Sequence, residues 1–411
     1  MEERIVITGM GTINPLGHGV DATWKNLING VSAVGPITAF DTEGWNVKLA
    51  CEVSNYDPAK FMDVKDARRR DRFEQFGVIA AKQALQDSGL QVDGENAYRI
   101  GSVISSAVGG IRSLQEGVYT LQQEGFRHVS PFVVAMMMPN GAASMSGIEL
   151  GLRGPSLGVV SACASGADSL GVAWMLLRSG MMDAVLAGGA EATITSIGVG
   201  AFDRAMAISR QTDPELAPRP FDKERDGLVM GEGSAVLVLE TESHARARGA
   251  NIYAELAGYG ATADAYHITA PRDDGSAASE AIRMALRAGS INLDEVGYIN
   301  AHGTGTVLND AAETQAIKRA FGERAYEIPV SGTKAMTGHM MGATGALEII
   351  ICALAMREGA VPPTVHYHTP DPACDLDYVP NEARELKFDV AISNALGFGG
   401  HNTVLAVRRY N

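Results

Sequence analysis

The segment that decides the fold reads Leu157-Gly158-Val159-Val160-Ser161-Ala162-Cys163-Ala164-Ser165-Gly166, an apolar run that passes into small residues around one cysteine. Over 165–179 the apolar residues then recur on one face of a helix. We predict a buried strand, a tight turn and a helix that begins at Cys163. A thiol at a helix start faces unpaired N–H groups and the positive end of the helix dipole, which favour the thiolate. A small buried cysteine without chemistry explains this segment equally well.

Short β-rich runs and helical patterns alternate along the whole chain, which is typical of α/β architecture with helices covering the sheets. Both faces of the sheets are expected to be buried, because strands such as 184–188 lack polar alternation. The predicted strands are 4–8, 100–105, 157–161, 184–188, 234–240, 296–300, 328–331 and 402–408. The predicted helices are 74–88, 165–179, 277–288, 310–320 and 344–357. The most natural boundary between two halves lies near 245–252.

The composition is that of an ordinary soluble globular protein. The chain has 411 residues, of which 46% are hydrophobic and 20% charged, enough for roughly two to three domain units or one duplicated fold. Its net charge of −14 argues against general affinity for nucleic acid or anionic membranes. No apolar run could span a bilayer, and the N-terminus reads as a first strand. We expect a cytoplasmic protein with neither nucleic acid nor membrane as a partner.

The four cysteines are scattered and form no CxxC pair. They are Cys51, Cys163, Cys352 and Cys374. This spacing predicts neither a disulfide framework nor a zinc ribbon.

Three further Gly-rich loops carry reactive side chains after predicted strands. His302 lies in the first, Lys334 and His339 lie in the second, and Phe398 lies in the third. Sites in α/β folds form at the C-terminal ends of strands, so these loops are expected to converge with Cys163. Each loop also has a simpler interpretation as a structural histidine, a solvated lysine or a hairpin. The coincidence of one cysteine, two histidines and one lysine favours a catalytic site.

Motifs along nearly the whole chain resemble the β-ketoacyl-acyl carrier protein synthases of fatty-acid synthesis, and most of all their synthase II branch. They include Arg4-Ile5-Val6-Ile7-Thr8-Gly9, Gly227-Leu228-Val229-Met230-Gly231-Glu232-Gly233 and Phe398-Gly399-Gly400-His401-Asn402. The resemblance implies an α/β thiolase-like fold, a five-layered αβαβα body of two similar halves, usually a homodimer. The expected halves are 1–248, with the nucleophilic cysteine, and 249–411, with the two histidines.

The resemblance assigns roles to individual residues. It makes Cys163 the nucleophile, His302 and His339 the catalytic histidines, Lys334 the catalytic lysine and Phe398 a gate. The hydroxyls of the pantetheine site match Thr304 and Thr306. The acyl channel and its surroundings are expected to involve Val108, Phe202, Val133 and Gly399. Where relatives often have two phenylalanines this chain has Phe132-Val133, so we expect room for long acyl chains.

The basic run between residues 65 and 72 is the expected docking site for a partner. A solvated helix face with internal ion pairs is its simplest interpretation. Residues that meet the acidic carrier protein in relatives match Lys65, Arg68, Arg69 and Arg127. The expected partner is therefore acyl carrier protein in its acyl and malonyl forms.

The implied reaction is a decarboxylative Claisen condensation that extends an acyl thioester by two carbons and needs neither a metal nor a redox cofactor. A thiolase is one alternative, although Ser393-Asn394 and Phe398 stand where thiolases usually have a second cysteine. A metal hydrolase built on the cysteine and both histidines is another, without supporting ligand spacing. A non-catalytic chain-length factor is a third, although such subunits typically lack the cysteine.

Overall fold

The computed structural model describes residues 3–411. Its strands are β1 (Ile5–Ile13), β2 (Gly35–Pro36), β3 (Leu49–Ala50), β4 (Ile100–Ser105), β5 (Ser156–Leu157), β6 (Ala184–Glu191), β7 (Gly233–Thr241), β8 (Ala254–Ala263), β9 (Val296–Asn300), β10 (Val330–Ser331), β11 (Ala360–Val361), β12 (Arg384–Glu385), β13 (Val390–Gly397) and β14 (His401–Arg408). Its α-helices are α1 (Val20–Ile28), α2 (Val64–Ala67), α3 (Arg72–Ser88), α4 (Ile111–Glu124), α5 (Val133–Met136), α6 (Gly141–Leu150), α7 (Ser165–Arg178), α8 (Ser196–Arg204), α9 (Glu242–Ala247), α10 (Ser276–Ala288), α11 (Val307–Phe321), α12 (Lys334–Thr337) and α13 (Thr344–Glu358).

The predicted strands 100–105 and 296–300 are observed with the same ends and the other predicted elements with shifted ends, with one clear exception. The strand expected at 157–161 is only the two-residue β5, and both of its residues are exposed. Among the described strands it pairs with β4 alone and forms the outer edge of the sheet, with no further strand on its other side. The prediction of a buried strand before Cys163 was therefore wrong in both length and burial.

The large sheet consists of two five-stranded halves with the same topology. Within residues 3–411 the order is β10-β9-β13-β14-β8-β1-β7-β6-β4-β5. Each half has two parallel pairings at its outer end and two antiparallel pairings toward the centre. The halves join where Val6 and Ile7 pair with Glu255 and Ala254. This duplication shows a common plan that the sequence itself does not reveal.

Helices cover both half-sheets and also fill the space between them. The outer layers are α3 with α6 on the first half and α10 with α11 on the second. The inner layer consists of α7 and α13, which contact strands of both halves and each other. Residues 344–356 of α13 are all buried, as expected for a helix enclosed on every side. The result is a five-layered αβαβα body.

The start of α7 and the start of α13 meet at the centre of the molecule. Each helix follows one 3₁₀ turn, Ala162–Ala164 in the first half and Met341–Ala343 in the second. The approach requires glycine, because a Cβ added to Gly166 would lie 2.4 Å from the carbonyl oxygen of Gly342. Equivalent turns of the two halves thereby face one another. No helix within residues 3–411 is long and apolar enough to cross a membrane.

Candidate active site

Cys163 lies in the 3₁₀ turn that leads into α7. The residue before it, Ala162, has φ +52°, a left-handed conformation that costs free energy for a residue with a Cβ. Cys163 itself is only 8% exposed. The predicted turn and helix start are present, and the helix begins two residues after the cysteine.

The thiol and two imidazoles come together from three separate loops. The sulfur of Cys163 and ring nitrogens of His302 and His339 all lie within 4.8 Å of one another. The two imidazole centroids are 5.2 Å apart and the rings are nearly perpendicular. His302 follows β9 and His339 follows β10, neighbouring strands of the second half-sheet. The expected convergence of these three side chains is observed.

Burial dominates the acidity of the thiol. It raises the pKa of Cys163 to about 11, although the backbone N–H of Phe398 and the charge of Lys334 lower it. The position at a helix start led to the opposite expectation. The net direction reverses because the thiolate would lose its hydration in this buried turn. The free thiol is therefore protonated at neutral pH.

Both imidazoles are neutral at physiological pH. Burial first, and then the charge of Lys334, lower the pKa of His302 and His339 well below the usual range. A neutral imidazole has one N–H donor and one acceptor nitrogen. The pair can therefore donate hydrogen bonds to a substrate oxygen or accept a proton from a thiol.

A buried ion pair holds Lys334 close to the histidines. The ammonium nitrogen of Lys334 lies 2.6 Å from Oε1 of Glu348, and each side chain is only 1% exposed. Burial raises the pKa of Glu348 to about 7, while Lys334 acts to lower it. Lys334 thus places a fixed positive charge near both rings instead of in solvent.

Glu313 orders the loop that carries His302. Its carboxylate accepts hydrogen bonds from the backbone N–H groups of His302 and Gly303, at 2.7 and 2.8 Å, and from the side-chain amide of Asn394 at 3.0 Å. Glu313 is completely buried. The loop after β9 is therefore held by a buried carboxylate that is not part of the cleft wall.

The Gly-rich loop near the C-terminus is a hairpin turn between β13 and β14, as its simpler interpretation predicted. It nevertheless belongs to the site, because a Cβ on Gly397 would lie 3.2 Å from the backbone nitrogen of Cys163. Gly399 follows in a left-handed conformation, with φ +90°. The ring of Phe398 stacks on Phe202 at 6.0 Å. Phe398 thus lies in the same cleft as Cys163.

A cleft of about 200 Å³ leads to the three reactive groups. Its walls include Phe202, Thr304, Thr306 and Phe398. The hydroxyls of Thr304 and Thr306 lie 3.0 Å apart, so both face the same opening. Val108 and Val133 do not line this cleft: Val108 is 39% exposed, and Val133 is half-buried on α5.

The basic run divides into inward and outward side chains. Arg70 pairs with Glu149 and Arg72 with Glu232, both within the fold. Lys65, Arg68, Arg69 and Arg127 are exposed, and none forms a salt bridge within the described chain. The guanidinium of Arg69, two residues after α2, lies over the ring of Phe132, five residues after Arg127, at 5.1 Å. We call these four residues the basic surface.

Comparison with known proteins decides the family. The model of the β-ketoacyl synthase N-terminal domain matches residues 2–245, and that of the C-terminal domain matches residues 253–368. The chain belongs to the β-ketoacyl synthase family. The predicted family, and with it an acyltransferase that acts as a condensing enzyme, is therefore confirmed.

Relatives of this synthase cover its whole length. It is 47% identical over 408 residues to 3-oxoacyl-[acyl-carrier-protein] synthase 2 of Staphylococcus aureus strain N315, covering 99% of each chain. It is 46% identical to the protein of the same name from Synechocystis, covering 100% of this chain and 99% of the other. A type II polyketide ketosynthase, solved in complex with its acyl carrier protein, matches with TM-score 0.92 and 33% identity over all of both chains. The predicted thiolase-like fold is confirmed.

Sequence reasoning missed several buried groups around Cys163, His302 and His339. Glu348 holds Lys334, and Thr344 contacts His339. Asp310 accepts hydrogen bonds from the backbone N–H groups of Thr304 and Gly305, both at 3.1 Å. Glu348 could have been found, because it is the one charged residue in the apolar run 345–356. Thr344 and Asp310 carry no such signal.

The same trio of donor atoms is compact enough to hold a metal ion. Ligand spacing in the sequence does not support the metal-hydrolase alternative, but folding can bring ligands together that are far apart in the sequence. Charge is the better criterion here. The Lys334 ammonium that lowers the pKa of both imidazoles also repels a cation from them. The trio suits chemistry at a thioester better than it suits a metal.

Proposed function

We propose that this synthase condenses an acyl group with malonyl-acyl carrier protein, releasing carbon dioxide and a β-ketoacyl product two carbons longer. One observation carries the proposal: a thiol and two neutral imidazoles face one another at the end of a cleft with two hydroxyls on its wall. A thiol can hold the acyl group while the imidazoles act on the second thioester.

In the first half-reaction Cys163 attacks the acyl thioester. Its sulfur forms a bond to the acyl carbon, and the pantetheine thiol leaves. Because burial keeps the thiol protonated, a neutral imidazole beside it accepts the proton and passes it to the leaving thiolate. The backbone N–H groups of Cys163 and Phe398 are proposed to hold the oxyanion. Phe398 is proposed to move aside as the acyl chain enters.

In the second half-reaction His302 and His339 donate hydrogen bonds to the malonyl thioester oxygen. The bond to the carboxylate breaks, carbon dioxide leaves, and the electron pair forms an enolate that the two N–H groups stabilise. The enolate carbon then attacks the acyl-enzyme and frees Cys163. Lys334 is proposed to keep both imidazoles neutral through its positive charge.

The basic surface is proposed to dock acyl carrier protein. None of its four cations forms a salt bridge within the described chain, and they lie on a protein with a net charge of −14. An acidic partner therefore meets one favoured face. The structure of a related ketosynthase with its acyl carrier protein supports this choice of partner. Thr304 and Thr306 would hold the pantetheine arm in the cleft.

A homodimer is proposed to form through the edge that carries β5. This edge strand has free backbone groups on one side. Large exposed apolar side chains lie on it, on α4, α5 and α6, and immediately before α5; among them are Leu114, Tyr119, Phe132, Val134, Ile148 and Leu157. In such a dimer Val108 and Val133 are proposed to complete the acyl channel across the interface.

We also propose that the boundary between the two halves lies near 245–252. A location in the cytoplasm is proposed as well, because the four free cysteines would stay reduced there.

The two half-reactions can be measured separately. His302→Ala and His339→Ala are expected to acquire a labelled acyl group from acyl carrier protein, while carbon dioxide release from malonyl-acyl carrier protein falls by roughly 10²–10³, the usual cost of one lost oxyanion donor. His18→Ala, outside the cleft, is the control. Normal carbon dioxide release in both active-site variants would contradict the proposal.

A further inference from the structure

Thr344 makes a contact with a catalytic histidine that nothing in the motif pattern explains. It is the first residue of α13 and is 2% exposed. Its hydroxyl oxygen lies 3.2 Å from Nδ1 of His339. The other ring nitrogen, Nε2, is buried and has no hydrogen-bond partner in the part of the chain that the structure describes. His339 is therefore held at one nitrogen and free at the other.

The direction of this hydrogen bond follows from counting donors. Among residues 3–411, the Thr344 hydroxyl forms one side-chain hydrogen bond, the one to His339. If the hydroxyl accepted a proton from Nδ1, its own hydrogen would remain buried without an acceptor, which is unfavourable. If it donates to Nδ1, the hydroxyl is satisfied and Nδ1 is the acceptor nitrogen. A neutral imidazole must then carry its proton on Nε2.

We propose that Thr344 is a positioning residue that fixes His339 in the Nε2–H tautomer, with that N–H free to meet the thioester oxygen. This inference rests on the proposed function for its catalytic consequence, but not for the tautomer itself. His302 differs, because within residues 3–411 its Nδ1 has no partner and no side chain holds its ring by a hydrogen bond. The two histidines are thus unequal: His339 is locked as a donor, while the tautomer of His302 is left open.

Fixing the tautomer of His339 has a physical reason. The other tautomer would turn a lone pair toward the enolate oxygen, so that the nitrogen repelled the charge it should stabilise. A neutral imidazole exchanges its tautomers readily unless a neighbour favours one. The hydroxyl of Thr344 is rigidly placed, because its residue begins a helix that is buried on all sides. Such preorganisation lowers the reorganisation needed when charge develops.

The first test measures directly which ring nitrogen of His339 carries the proton. ¹⁵N spectra of the full-length protein, labelled at histidine, are recorded for the parent, Thr344→Val and Thr344→Ser, and His339→Gln identifies the His339 signals. The parent and Thr344→Ser are expected to show protonated Nε2, and Thr344→Val a mixture of tautomers. A parent with the proton on Nδ1, or Thr344→Val unchanged from the parent, overturns the proposal. This measurement needs no activity, so it stands even if the proposed function fails.

The second test measures the effect of Thr344 on the rate of decarboxylation. Carbon dioxide release from malonyl-acyl carrier protein is expected to fall about tenfold in kcat in Thr344→Val, less than the loss of a whole donor because part of the population keeps the correct tautomer. KM and the acylation of Cys163 should stay within about twofold, and Thr344→Ser should retain the parental rate. Thr23→Val, another buried helical threonine whose hydroxyl bonds to a carbonyl, is the matched control. Equal losses in Thr344→Val and Thr344→Ser would overturn the lock. If the parent itself releases no carbon dioxide, the proposed function fails instead.

Discussion

Replacing Glu240 by glutamine tests how a buried charge cluster ties the first half of the molecule together. The Glu240 carboxylate lies 2.9 Å from Nε of Arg248 and 2.6 Å from Nδ1 of His244, and the Thr8 hydroxyl also donates to it. Its side chain is fully buried. Burial raises the pKa of Glu240, but these hydrogen bonds outweigh burial and lower it to about 2, from 4.5. The charged form is therefore the stable one in the folded protein.

The size and pH range of the effect follow from that shift. Each pKa unit corresponds to about 1.4 kcal/mol, so the ionised carboxylate contributes about 3 kcal/mol. Because the folded pKa lies below the unfolded one, this stability is present above pH 4.5 and is lost as the pH falls toward 2. Glu240→Gln is expected to reduce the free energy of unfolding by about 3 kcal/mol at pH 7, and the difference from the parent should shrink between pH 4.5 and 3.

The assay is urea unfolding followed by fluorescence at pH 7, 4.5 and 3. Glu280→Gln is the matched control, because Glu280 lies 2.6 Å from Arg287 but is 46% exposed. That exposed pair should contribute less than about 1 kcal/mol. Acyl transfer to Cys163 should be unchanged, since Glu240 is not part of the cleft. A loss no larger than that of Glu280→Gln, or one independent of pH, would refute the reasoning.

Four further outcomes are expected. Cys163→Ala should abolish the acyl adduct seen by peptide mass spectrometry, and an adduct on any other cysteine would contradict the assignment. Lys334→Met removes a charge that lowers the pKa of both catalytic histidines, so the acidic limb of the pH profile for carbon dioxide release should move to higher pH; an unmoved limb would count against its electrostatic role. Arg68→Glu with Arg69→Glu should raise KM for acyl carrier protein several-fold and flatten its salt dependence, without affecting acyl-pantetheine substrates, whereas equal losses on both would indicate misfolding. Val133→Phe should shorten the preferred acyl chain, and an unchanged product profile would exclude Val133 from the channel.

Local pattern was enough for most of the secondary structure and for the reactive residues. Strand β4 was predicted with its observed ends, because its β-rich run is bounded by clear breaks. Cys163, His302 and His339 stood out because each lies in a small-residue or Gly-rich loop after a strand. The signal for these three residues consists of residue type and of the local turn, and a short stretch of consecutive residues is enough to predict both. Family motifs added the fold class.

Burial and distant contacts were decided only by the tertiary structure. The helix start at Cys163 favours a thiolate, yet enclosure by both halves raises the pKa of that thiol. The basic run looked uniform, but packing turned Arg70 and Arg72 inward onto carboxylates from distant segments. The duplicated topology of the two half-sheets also left no readable repeat, because packing constrains the shape and polarity of a strand more than its residue identities.

The partners of the catalytic groups show the same division. Glu348 contacts Lys334, fourteen residues before it, and Thr344 contacts His339, five residues before it. Neither pairing follows from propensity or periodicity, because each depends on how α13 is positioned between the two half-sheets. The sequence by itself was therefore enough to predict which groups form the candidate site. Their ionisation, their tautomer and the shape of their cleft depend on desolvation and on contacts between distant segments, which exist only in the folded molecule.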